Sequence, residues 1–204
     1  MRVAIVGTGR VGAAIAPVIA AAGHEVTFAV RDPADPRHAM AGAPAATMAA
    51  AGAWADVIIL AIGFDAVDAA LAALGPITGK TLIDPINPYD FANGLAPLLP
   101  AHQSAAAVLQ GKTDAHVVKA LNQIGAAVMA AARTRAQRPL QFVASDHAGA
   151  KAQASTLLAD LGFDVRDAGG LDYARELEGM ARLWIAQAFG HGMAPDTGWV
   201  LSRE

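Results

Sequence analysis

The chain has 204 residues, of which 54% are apolar and 16% charged, and a formal net charge of −3. This composition excludes a disordered chain, and the negative charge predicts no nucleic-acid partner and no anionic membrane partner. The chain has no cysteine, which excludes disulfides, thiolate metal sites and cysteine nucleophiles and is typical of a cytoplasmic protein. The apolar runs are too short to predict a membrane-spanning helix or a signal peptide.

Short apolar runs alternate with helical patterns along the whole chain. In chain order, the predicted strands are 3–6, 26–30, 57–62, 81–84, 116–121, 140–144 and 163–167. The predicted helices are 13–22, 47–51, 65–74, one after Pro100, 125–135, 147–161 and 171–189. Residues 32–46 are predicted as a loop, and Pro17 is expected to kink the first helix or to cost it a hydrogen bond.

This alternation predicts a parallel sheet with helices on both faces, which is the doubly wound α/β class or Rossmann fold. The composition changes near residues 133–139. A boundary is predicted there, between a dinucleotide-binding domain at 1–137 and a small C-terminal α/β lobe at 138–204 with a strand–helix–strand–helix pattern. On the last helix, Glu178 and Arg182 have the spacing of an i, i+4 ion pair.

A glycine-rich turn with the spacing GxGxxG follows the first strand and opens the first helix. It consists of Gly7, Thr8, Gly9, Arg10, Val11 and Gly12. In such a turn the first glycine makes the tight bend, the second lets the backbone approach a pyrophosphate, and the third lets the helix pack against the strand. The helix N-terminus adds free N–H donors. This context predicts a dinucleotide site, and the alternative is a glycine turn that binds no ligand.

The end of the second strand distinguishes between the two nicotinamide cofactors. An NAD site places an acidic residue there, about 20 residues after the turn, to hold the ribose hydroxyls. Val30 occupies that position and Arg31 follows it. An arginine suits the 2′-phosphate of NADP, with Thr8 and Arg10 as further contacts, so NADP(H) is predicted. Two alternatives remain open: Arg31 as a solvated loop residue, and Asp32 as the ribose acid displaced by one position.

The ligand crevice of a doubly wound sheet lies at the carboxyl ends of its strands. Ile62, Phe64 and Asn87 follow two of these strands and are predicted to flank the nicotinamide, while residues 121–124 follow another. These segments carry no evident group for proton transfer, so no catalytic side chain is predicted. The alternative for Phe64 is an aromatic residue at the edge of the core, and for Asn87 and Asn122 it is turn formation.

Other reaction classes lack their characteristic residue patterns. The six histidines are scattered without the spacing of a metal site, so no metal is predicted. No GxSxG turn is present, which leaves serine hydrolase chemistry unsupported. Arg133, Arg135 and Arg138 form one basic cluster, interpreted either as a solvated linker or as an anchor for the anionic tail of a ligand.

Several segments share the pattern of one family. They are VAIVGTGRVG at 3–12, Arg31 after a strand without an acid, the Asn87-Pro88 turn, VVKALNQIG at 117–125, PLQFV at 139–143, LGF at 161–163 and Gly192-Met193. Together these residues resemble the NADP oxidoreductases that depend on coenzyme F420, a deazaflavin, over nearly the whole chain. The glycine turn is generic, whereas the segments at 117–125 and 139–143 and the C-terminal tail are more specific.

The resemblance implies a Rossmann domain with a small C-terminal lobe, usually in a homodimer, and hydride transfer between C4 of the nicotinamide and C5 of the deazaflavin. The two rings stack, so the reaction requires positioning rather than acid or base side chains. By the same resemblance, Thr8, Arg31 and Arg10 fall at NADP contacts. The residues placed near the deazaflavin are Asn122, Ile124, Gly192 and Met193.

The chain departs from the family pattern at Val30, Gly63, Asn122 and the Ala194-Pro195 turn. NADP binding is still expected, but the second substrate is left open between coenzyme F420 and another acceptor such as a flavin, a quinone or a metal chelate. Two other functions remain open as well. They are a small NADP-dependent dehydrogenase of the 3-hydroxyacid or pyrroline-carboxylate type, and a non-enzymatic NADP(H) sensor in which no acceptor oxidises the bound NADPH.

Overall fold

The computed structural model describes residues 1–35 and 42–202. In these ranges the strands are β1 (Arg2–Val6), β2 (Glu25–Val30), β3 (Ala45–Thr47), β4 (Val57–Leu60), β5 (Thr81–Asp84), β6 (Tyr89–Asp90), β7 (Ala96–Pro97), β8 (His116–Lys119), β9 (Leu140–Ala144) and β10 (Asp164–Gly169). The α-helices are α1 (Arg10–Ala21), α2 (Met48–Trp54), α3 (Val67–Leu74), α4 (Ala105–Gln110), α5 (Ala126–Ala131), α6 (Ala148–Asp160) and α7 (Ala174–Gly190). His38, part of the predicted loop at 32–46, and the last two residues of the predicted lobe lie outside the described residues.

Eight strands form one sheet in the order β10-β9-β8-β5-β4-β1-β2-β3, and β6 and β7 form a separate antiparallel hairpin. Neighbouring strands of the large sheet are parallel except β8 and β9, which meet where Lys119 pairs with Ala144. This topology confirms the predicted doubly wound fold. The strand order reverses between β1 and β4, and that is the position at which such sheets open a ligand crevice. Since β9 and β10 continue the same sheet, the boundary after residue 137 stays a prediction.

The centre of the sheet is buried on both faces. All residues from Val3 to Val6 and from Val57 to Leu60 are buried, as their continuous apolar runs predict. Alternate side chains belong to two apolar clusters. Ile5 packs with α1, α5 and α6 in one cluster, and Ala4 packs with α2, α3 and α4 in the other. Many of the packed helical residues are alanines, which let the helices approach the sheet closely.

Local sequence signals account for the starts of two helices. Thr47 accepts a hydrogen bond from the Ala50 N–H (3.3 Å) and Ser104 from the Ala107 N–H (3.1 Å), so these residues cap α2 and α4. Pro17 lies within α1 on its exposed side, and the helix continues through it to Ala21. The cost expected for Pro17 is therefore a missing hydrogen bond and does not end the helix.

Three short strands differ from the predicted elements. Residues 45–47 form the edge strand β3, which pairs with β2 in a parallel register, where residues 45–46 were predicted as loop and residue 47 as the start of a helix. Residues 89–90 and 96–97 form the hairpin β6–β7, whose turn includes Gly94 and Leu95 at positive φ. These strands have only two or three residues, which is too few for an alternating pattern to be visible in the sequence.

Candidate active site

The glycine turn connects β1 to α1 at the reversal of strand order. Gly7 has φ of +102°, and a Cβ there would lie 2.4 Å from the Ala61 carbonyl oxygen. A Cβ on Gly12 would lie 2.1 Å from the Gly7 carbonyl oxygen. The fold itself therefore requires glycine at these two positions. Gly9 differs, because a Cβ added there would meet no heavy atom within 4 Å, so its missing side chain leaves open space beside the helix.

The N-terminus of α1 presents unused backbone donors to that space. The first helical hydrogen bond runs from the Ala13 N–H to the Gly9 carbonyl oxygen at 2.9 Å, so the N–H groups of residues 10–12 have no partner in the helix. No acidic residue lies in the first turn, and no side chain caps it. Such an end attracts anions. The donors and the open space at Gly9 together fit the pyrophosphate of a dinucleotide.

A cavity of about 620 Å³ opens between the glycine turn, the end of β2 and α3. Of the predicted cofactor residues, its lining includes Gly7, Thr8, Arg31 and Ile62. Alanines of α3 form one wall and leave the cavity wide. The remaining predicted residues are not part of this lining: Gly9, Arg10, Val11 and Gly12 belong to the start of α1, and Phe64 and Asn87 follow β4 and β5. The structure thus brings Gly7 and Thr8, two residues of the predicted phosphate-binding turn, to one cavity with Arg31.

Arg31 and Asp32 both line this cavity at the end of β2. Oδ1 of Asp32 accepts a hydrogen bond from the Ala34 N–H at 3.0 Å, so this oxygen is used within its own turn. The Arg31 guanidinium is exposed and forms no hydrogen bond or ion pair with the described part of the chain. Arg31 is therefore available to an anionic ligand at this place, whereas one carboxylate oxygen of Asp32 already has a hydrogen-bond partner.

Amide side chains connect the ends of β5 and β8 to α7. Asn87 Nδ2 donates to the Asn122 carbonyl oxygen (3.0 Å), and Asn122 Nδ2 donates to Asn87 Oδ1 (3.1 Å) and to the Leu177 carbonyl oxygen (2.9 Å). Asn122 Oδ1 accepts from Gln123 Nε2 at 3.0 Å. The structure brings Asn87 and Asn122 together as predicted neighbours of the crevice. Asn122 is 4% exposed, and every polar atom of its side chain has a partner.

The C-terminal tail packs against the loop that follows β8. A Cβ on Gly125 would lie 2.4 Å from Trp184 Cη2 and 3.1 Å from the Pro195 carbonyl oxygen. Trp184 Nε1 donates to the Thr197 carbonyl oxygen (2.7 Å), and Trp199 Nε1 donates to the Gln123 carbonyl oxygen (3.1 Å). The tail is therefore fixed on this loop by two indole groups.

The other residues predicted for the acceptor lie in two segments, the loop after β8 and the segment that follows α7. Ile124 is buried in the loop that contains Asn122. Gly192 is exposed with φ of +77°, and Met193 is half-buried, its N–H donating to the Gln187 carbonyl oxygen at 3.0 Å. Gly192 and Met193 thus stand where α7 ends and the tail begins.

A buried ionic cluster, which we call the charge cluster, joins Asp84, Lys119 and Glu178. Asp84 and Lys119 are paired residues of β5 and β8. Lys119 Nζ lies 3.1 Å from Asp84 Oδ2 and 2.8 Å from Glu178 Oε1, and it also donates to the Ile86 carbonyl oxygen. Backbone N–H groups complete the cluster, with Ile86 donating to Asp84 Oδ1 (2.8 Å) and Ala105 donating to Glu178 Oε1 (2.9 Å).

Burial and the neighbouring charges act in opposite directions on this cluster. Burial alone would lower the pKa of Lys119, but the charges of Asp84 and Glu178 outweigh it and hold the pKa above its ordinary value. Burial raises the pKa of the Glu178 carboxyl, and the Lys119 ammonium offsets only part of that effect. Lys119 is therefore firmly protonated, and Glu178 holds a proton more readily than an exposed glutamate does.

The charge cluster was missed by sequence reasoning, and the predicted pair of Glu178 with Arg182 is wrong. Glu178 is 2% exposed and pairs with Lys119, while the Arg182 guanidinium lies over the Tyr89 ring at 5.7 Å from its centroid. The i, i+4 spacing holds for an exposed helix face, and Glu178 lies on the face that packs on the sheet. One signal was present: Asp84 and Lys119 each end an apolar strand, where a buried charge requires a partner.

A second cavity, of about 640 Å³, lies between the β6–β7 hairpin and α7. We call it the hairpin cavity. Its lining includes the charged or aromatic residues Tyr89, Arg175, Glu176, Glu178 and Arg182. Burial raises the pKa of Tyr89, and the charge of Glu178 raises it further. Pro88, the residue after Asn87, is also part of its lining.

The basic cluster lies away from the glycine turn. Arg133 donates to the Asp160 carbonyl oxygen (3.3 Å), and Arg135 donates to the Asp196 carbonyl oxygen (2.5 Å). The Asp160 carboxylate pairs with His24, which follows the C-terminal end of α1, opposite to the glycine turn.

Among the described residues, no group of three potential ligands is arranged for a metal ion. His116 and His147 stack on each other at 4.0 Å between ring centroids. Within the same ranges, no helix has both the length and the apolarity needed to cross a bilayer.

The fold and the glycine turn define the class: a Rossmann-type dinucleotide-binding protein. Residues 2–88 match the sequence profile of the family described as NADP oxidoreductase, coenzyme F420-dependent. A crystal structure from Arthrobacter sp. FB24, named as a candidate F420-dependent NADP reductase, is 31% identical, with a TM-score of 0.84 over 98% of this chain and 99% of that one. The chain therefore belongs to the family of coenzyme F420-dependent NADP oxidoreductases. Its family and its fold support the activity of an NADP-dependent oxidoreductase.

Two further structures are similar. A hypothetical protein from Sinorhizobium meliloti, SMa0349, is 26% identical, with a TM-score of 0.77 over 99% of this chain and 96% of that one. The 3-hydroxyisobutyrate dehydrogenase of Mycobacterium tuberculosis is 19% identical, with a TM-score of 0.61. That similarity shows the fold alone, and it covers 86% of this chain but only 56% of the dehydrogenase. The comparison with curated proteins gives no match.

Proposed function

We propose that this protein transfers a hydride between NADP(H) and a planar redox acceptor of the deazaflavin type, coenzyme F420. The observation that carries the proposal is the anion-binding helix end at Gly9, which directly follows Gly7 and Thr8, two residues that line one cavity with Arg31. Family membership supports the same cofactor and names the acceptor.

The cofactor contacts in this proposal are the predicted set. They are Gly7, Thr8, Gly9, Arg10, Val11, Gly12, Arg31, Ile62, Phe64 and Asn87. The N–H groups at the start of α1 bind the pyrophosphate, and Arg31 binds the 2′-phosphate with charge-assisted hydrogen bonds. Ile62 and Phe64 place apolar surface beside the nicotinamide. NADPH supplies the hydride chemistry, and these residues bind and orient it.

The acceptor contacts are proposed around the loop after β8. They are Asn122, Ile124, Gly192 and Met193. Asn122 has mainly a structural role here, because its amide already links Asn87 to the Leu177 carbonyl oxygen by hydrogen bonds. A rigid loop in this place favours stacking of the two rings in one orientation, which contributes to the rate of hydride transfer.

Oligomeric state and location belong to the same proposal. We expect a cytoplasmic homodimer, as the resemblance to the family implies. Size-exclusion chromatography with light scattering on the purified chain measures the mass directly, and a monomer at micromolar concentration would contradict the dimer.

Purified protein mixed with NADPH and oxidised coenzyme F420 tests the function, with NADH, FMN and a quinone in parallel. Rapid loss of NADPH absorbance together with reduction of the deazaflavin is the expected result. Arg31→Ala should raise KM for NADPH by about tenfold or more, because a charge-assisted contact is lost, and should leave KM for NADH unchanged. Arg138→Ala removes an exposed arginine outside the cavity and serves as the control.

The outcomes separate the alternatives. If NADPH binds and no acceptor oxidises it, a sensor function replaces the proposed activity. If Arg31→Ala leaves the preference for NADPH over NADH intact, Arg31 is a solvated loop residue and the 2′-phosphate is bound elsewhere.

A further inference from the structure

Glu178 is the acidic member of the charge cluster that also lines the hairpin cavity. Pro88 lines the cavity and follows Asn87, which the proposed function places beside the nicotinamide. The proposed acceptor contact Asn122 bonds to the carbonyl oxygen of Leu177, the residue before Glu178. One wall of the cavity is α7, which contributes Glu178 together with the exposed residues Arg175 and Glu176. A buried carboxyl group therefore stands between the ionic interior of the sheet and a space large enough for a small planar ligand.

The arrangement of bonds leaves one oxygen of Glu178 unused. Oε1 is 2.8 Å from Lys119 Nζ and accepts the Ala105 N–H at 2.9 Å. Within the described ranges, the structure records no hydrogen bond or ion pair to Oε2. Lys119 therefore fixes the carboxyl group through one oxygen, and the other is available to a ligand or to a proton.

The charge balance of the cluster favours a proton on Glu178. Asp84 and Glu178 contribute two carboxyl groups against the single ammonium of Lys119, and all three side chains are almost completely buried. With every group ionised, the cluster would hold an uncompensated negative charge, which is costly in a buried place. Asp84 receives both Lys119 and the Ile86 N–H, so Glu178 is the member better suited to be neutral. The raised pKa of Glu178 agrees with this assignment.

We propose that Glu178 donates the proton that the acceptor takes up when it receives the hydride. This inference rests on the proposed function. The C4–H bond of the dihydronicotinamide breaks, and its electron pair forms a C–H bond on the acceptor ring. A ring nitrogen or oxygen of the acceptor, made basic by the added electrons, takes the proton from Oε2 of Glu178. The carboxylate left behind is stabilised by Lys119 and regains a proton from solvent through the open cavity.

Other ionisable groups face this carboxyl group and affect its proton. Asp84 on β5 and Lys119 on β8 lie within the cluster, and Tyr89 on β6 is close enough for the charge of Glu178 to raise its pKa. Arg175 and Arg182 on α7 line the same cavity and attract an anionic acceptor, while the exposed Glu176 opposes it. Two arginines against one exposed glutamate make the mouth of the cavity suitable for an anion.

Glu178→Gln tests the proposal, because glutamine keeps the shape and the acceptor atom for Ala105 but cannot donate an acidic proton. The expected result is a loss of about 100-fold in kcat with NADPH and coenzyme F420, the usual size of a general-acid contribution. The Kd for NADPH should be unchanged. Glu25→Gln is the matched control, since Glu25 is exposed at the start of β2 and outside the cavity lining, and its kcat should equal that of the wild type.

Two further readouts separate proton donation from a structural role. In the wild type, kcat should fall as pH rises through the pKa of Glu178, since the protonated form is the donor, and it should be smaller in deuterium oxide. Both effects should disappear in Glu178→Gln. Infrared spectra of the resting protein should contain the carbonyl band of a buried protonated carboxyl group, present in Glu25→Gln and absent in Glu178→Gln.

Each contrary outcome overturns the inference. Wild-type turnover that Glu178→Gln leaves intact, or an infrared spectrum without the carboxyl band, excludes Glu178 as the donor while the proposed function stands. If Glu178→Gln lowers the thermal midpoint, its loss of activity does not distinguish proton donation from a structural role. The wild-type infrared band and the wild-type pH profile then decide, and the absence of either rejects Glu178 as the proton donor. If the wild type binds NADPH and reduces no acceptor, the proposed function and this inference fail together.

Discussion

Two regions at the carboxyl edge of the same sheet are built in opposite ways. At the glycine turn, the polar groups are backbone N–H donors without partners, and the space beside Gly9 is open. At the ends of β5 and β8, the polar groups are buried side chains that bond to one another, in the charge cluster and in the amides around Asn122. The first region has unused bonding capacity for a ligand, while the second has used almost all of its own.

This difference assigns different tasks to the two regions. Unsatisfied donors at a helix end gain their partners only when an anion binds, so the glycine turn contributes to affinity more than to stability. A satisfied buried network adds rigidity and is damaged when one member is removed. Substitutions at the glycine turn should therefore separate ligand binding from folding, and substitutions in the charge cluster should affect folding first.

The largest effect is expected for Lys119→Met. It leaves the carboxyl groups of Asp84 and Glu178 buried without a cation, and the expected loss is about 3–5 kcal/mol in the free energy of unfolding. Chemical denaturation measures this value. Lys112→Met is the matched control, because Lys112 pairs with Asp68 at an exposed site, where such pairs contribute little. Equal unfolding midpoints for Lys119→Met and the wild type would show that the cluster adds no net stability.

The loss of stability in Lys119→Met should increase as pH rises from acid to neutral. Without the ammonium, burial raises the pKa of Glu178 still further than in the wild type. A carboxyl group whose pKa is raised on folding binds a proton on folding. Its contribution to the free energy of unfolding is fully present below the pKa of the unfolded state, about 4, and is lost as pH rises through the pKa of the folded state. The difference between variant and wild type should therefore be small in acid and large at neutral pH.

An intermediate effect is expected for alanine at the two glycines that flank the start of α1. Gly12→Ala places a Cβ 2.1 Å from the Gly7 carbonyl oxygen, so the helix must shift, at a cost of about 2–3 kcal/mol in stability. Gly9→Ala meets no atom within 4 Å and should cost less than about 1 kcal/mol as a poorer helix cap. Its effect should instead be on NADPH, whose Kd rises by about tenfold because the methyl group occupies the pyrophosphate position.

Thermal unfolding together with fluorescence titration of NADPH separates the two glycine variants. Each is the control for the other, since both add one methyl group within the same turn. A Gly9→Ala protein with unchanged Kd would show that the open space at Gly9 is not where the cofactor binds. A Gly12→Ala protein as stable as the wild type would show that helix α1 can move away from β1 without cost.

The same contrast explains what the sequence could reveal. The glycine turn was predicted because its strand, turn and helix are contiguous, so each glycine has a task that local geometry sets. The charge cluster joins residues 84, 119 and 178, and its existence depends on which strand lies next to which. A local spacing rule then assigned Glu178 to Arg182. Strand β3 and the β6–β7 hairpin were missed for a related reason, since two or three residues give no pattern.

The smallest effect is expected for Asn122→Ala. The substitution removes the bonds to Asn87 Oδ1 and to the Leu177 carbonyl oxygen, and the expected loss is about 1–2 kcal/mol in the free energy of unfolding. The Kd for NADPH should be largely kept, because Asn87 still donates to the Asn122 backbone carbonyl oxygen and the glycine turn shares none of the lost bonds. Asn93→Ala, in the exposed turn of the hairpin, is the matched control and should leave both quantities unchanged.

Asn122 is also the residue at which the two regions can be told apart most finely. It was predicted as an acceptor contact, and the structure gives its amide a full set of partners. If the role of Asn122 is structural, Asn122→Ala lowers the free energy of unfolding. KM for the acceptor then rises only because the loop becomes more mobile, so lower temperature should restore KM. If stability is unchanged and KM rises at every temperature, the amide binds the acceptor directly, and this side of the crevice then keeps bonding capacity for a ligand just as the glycine turn does.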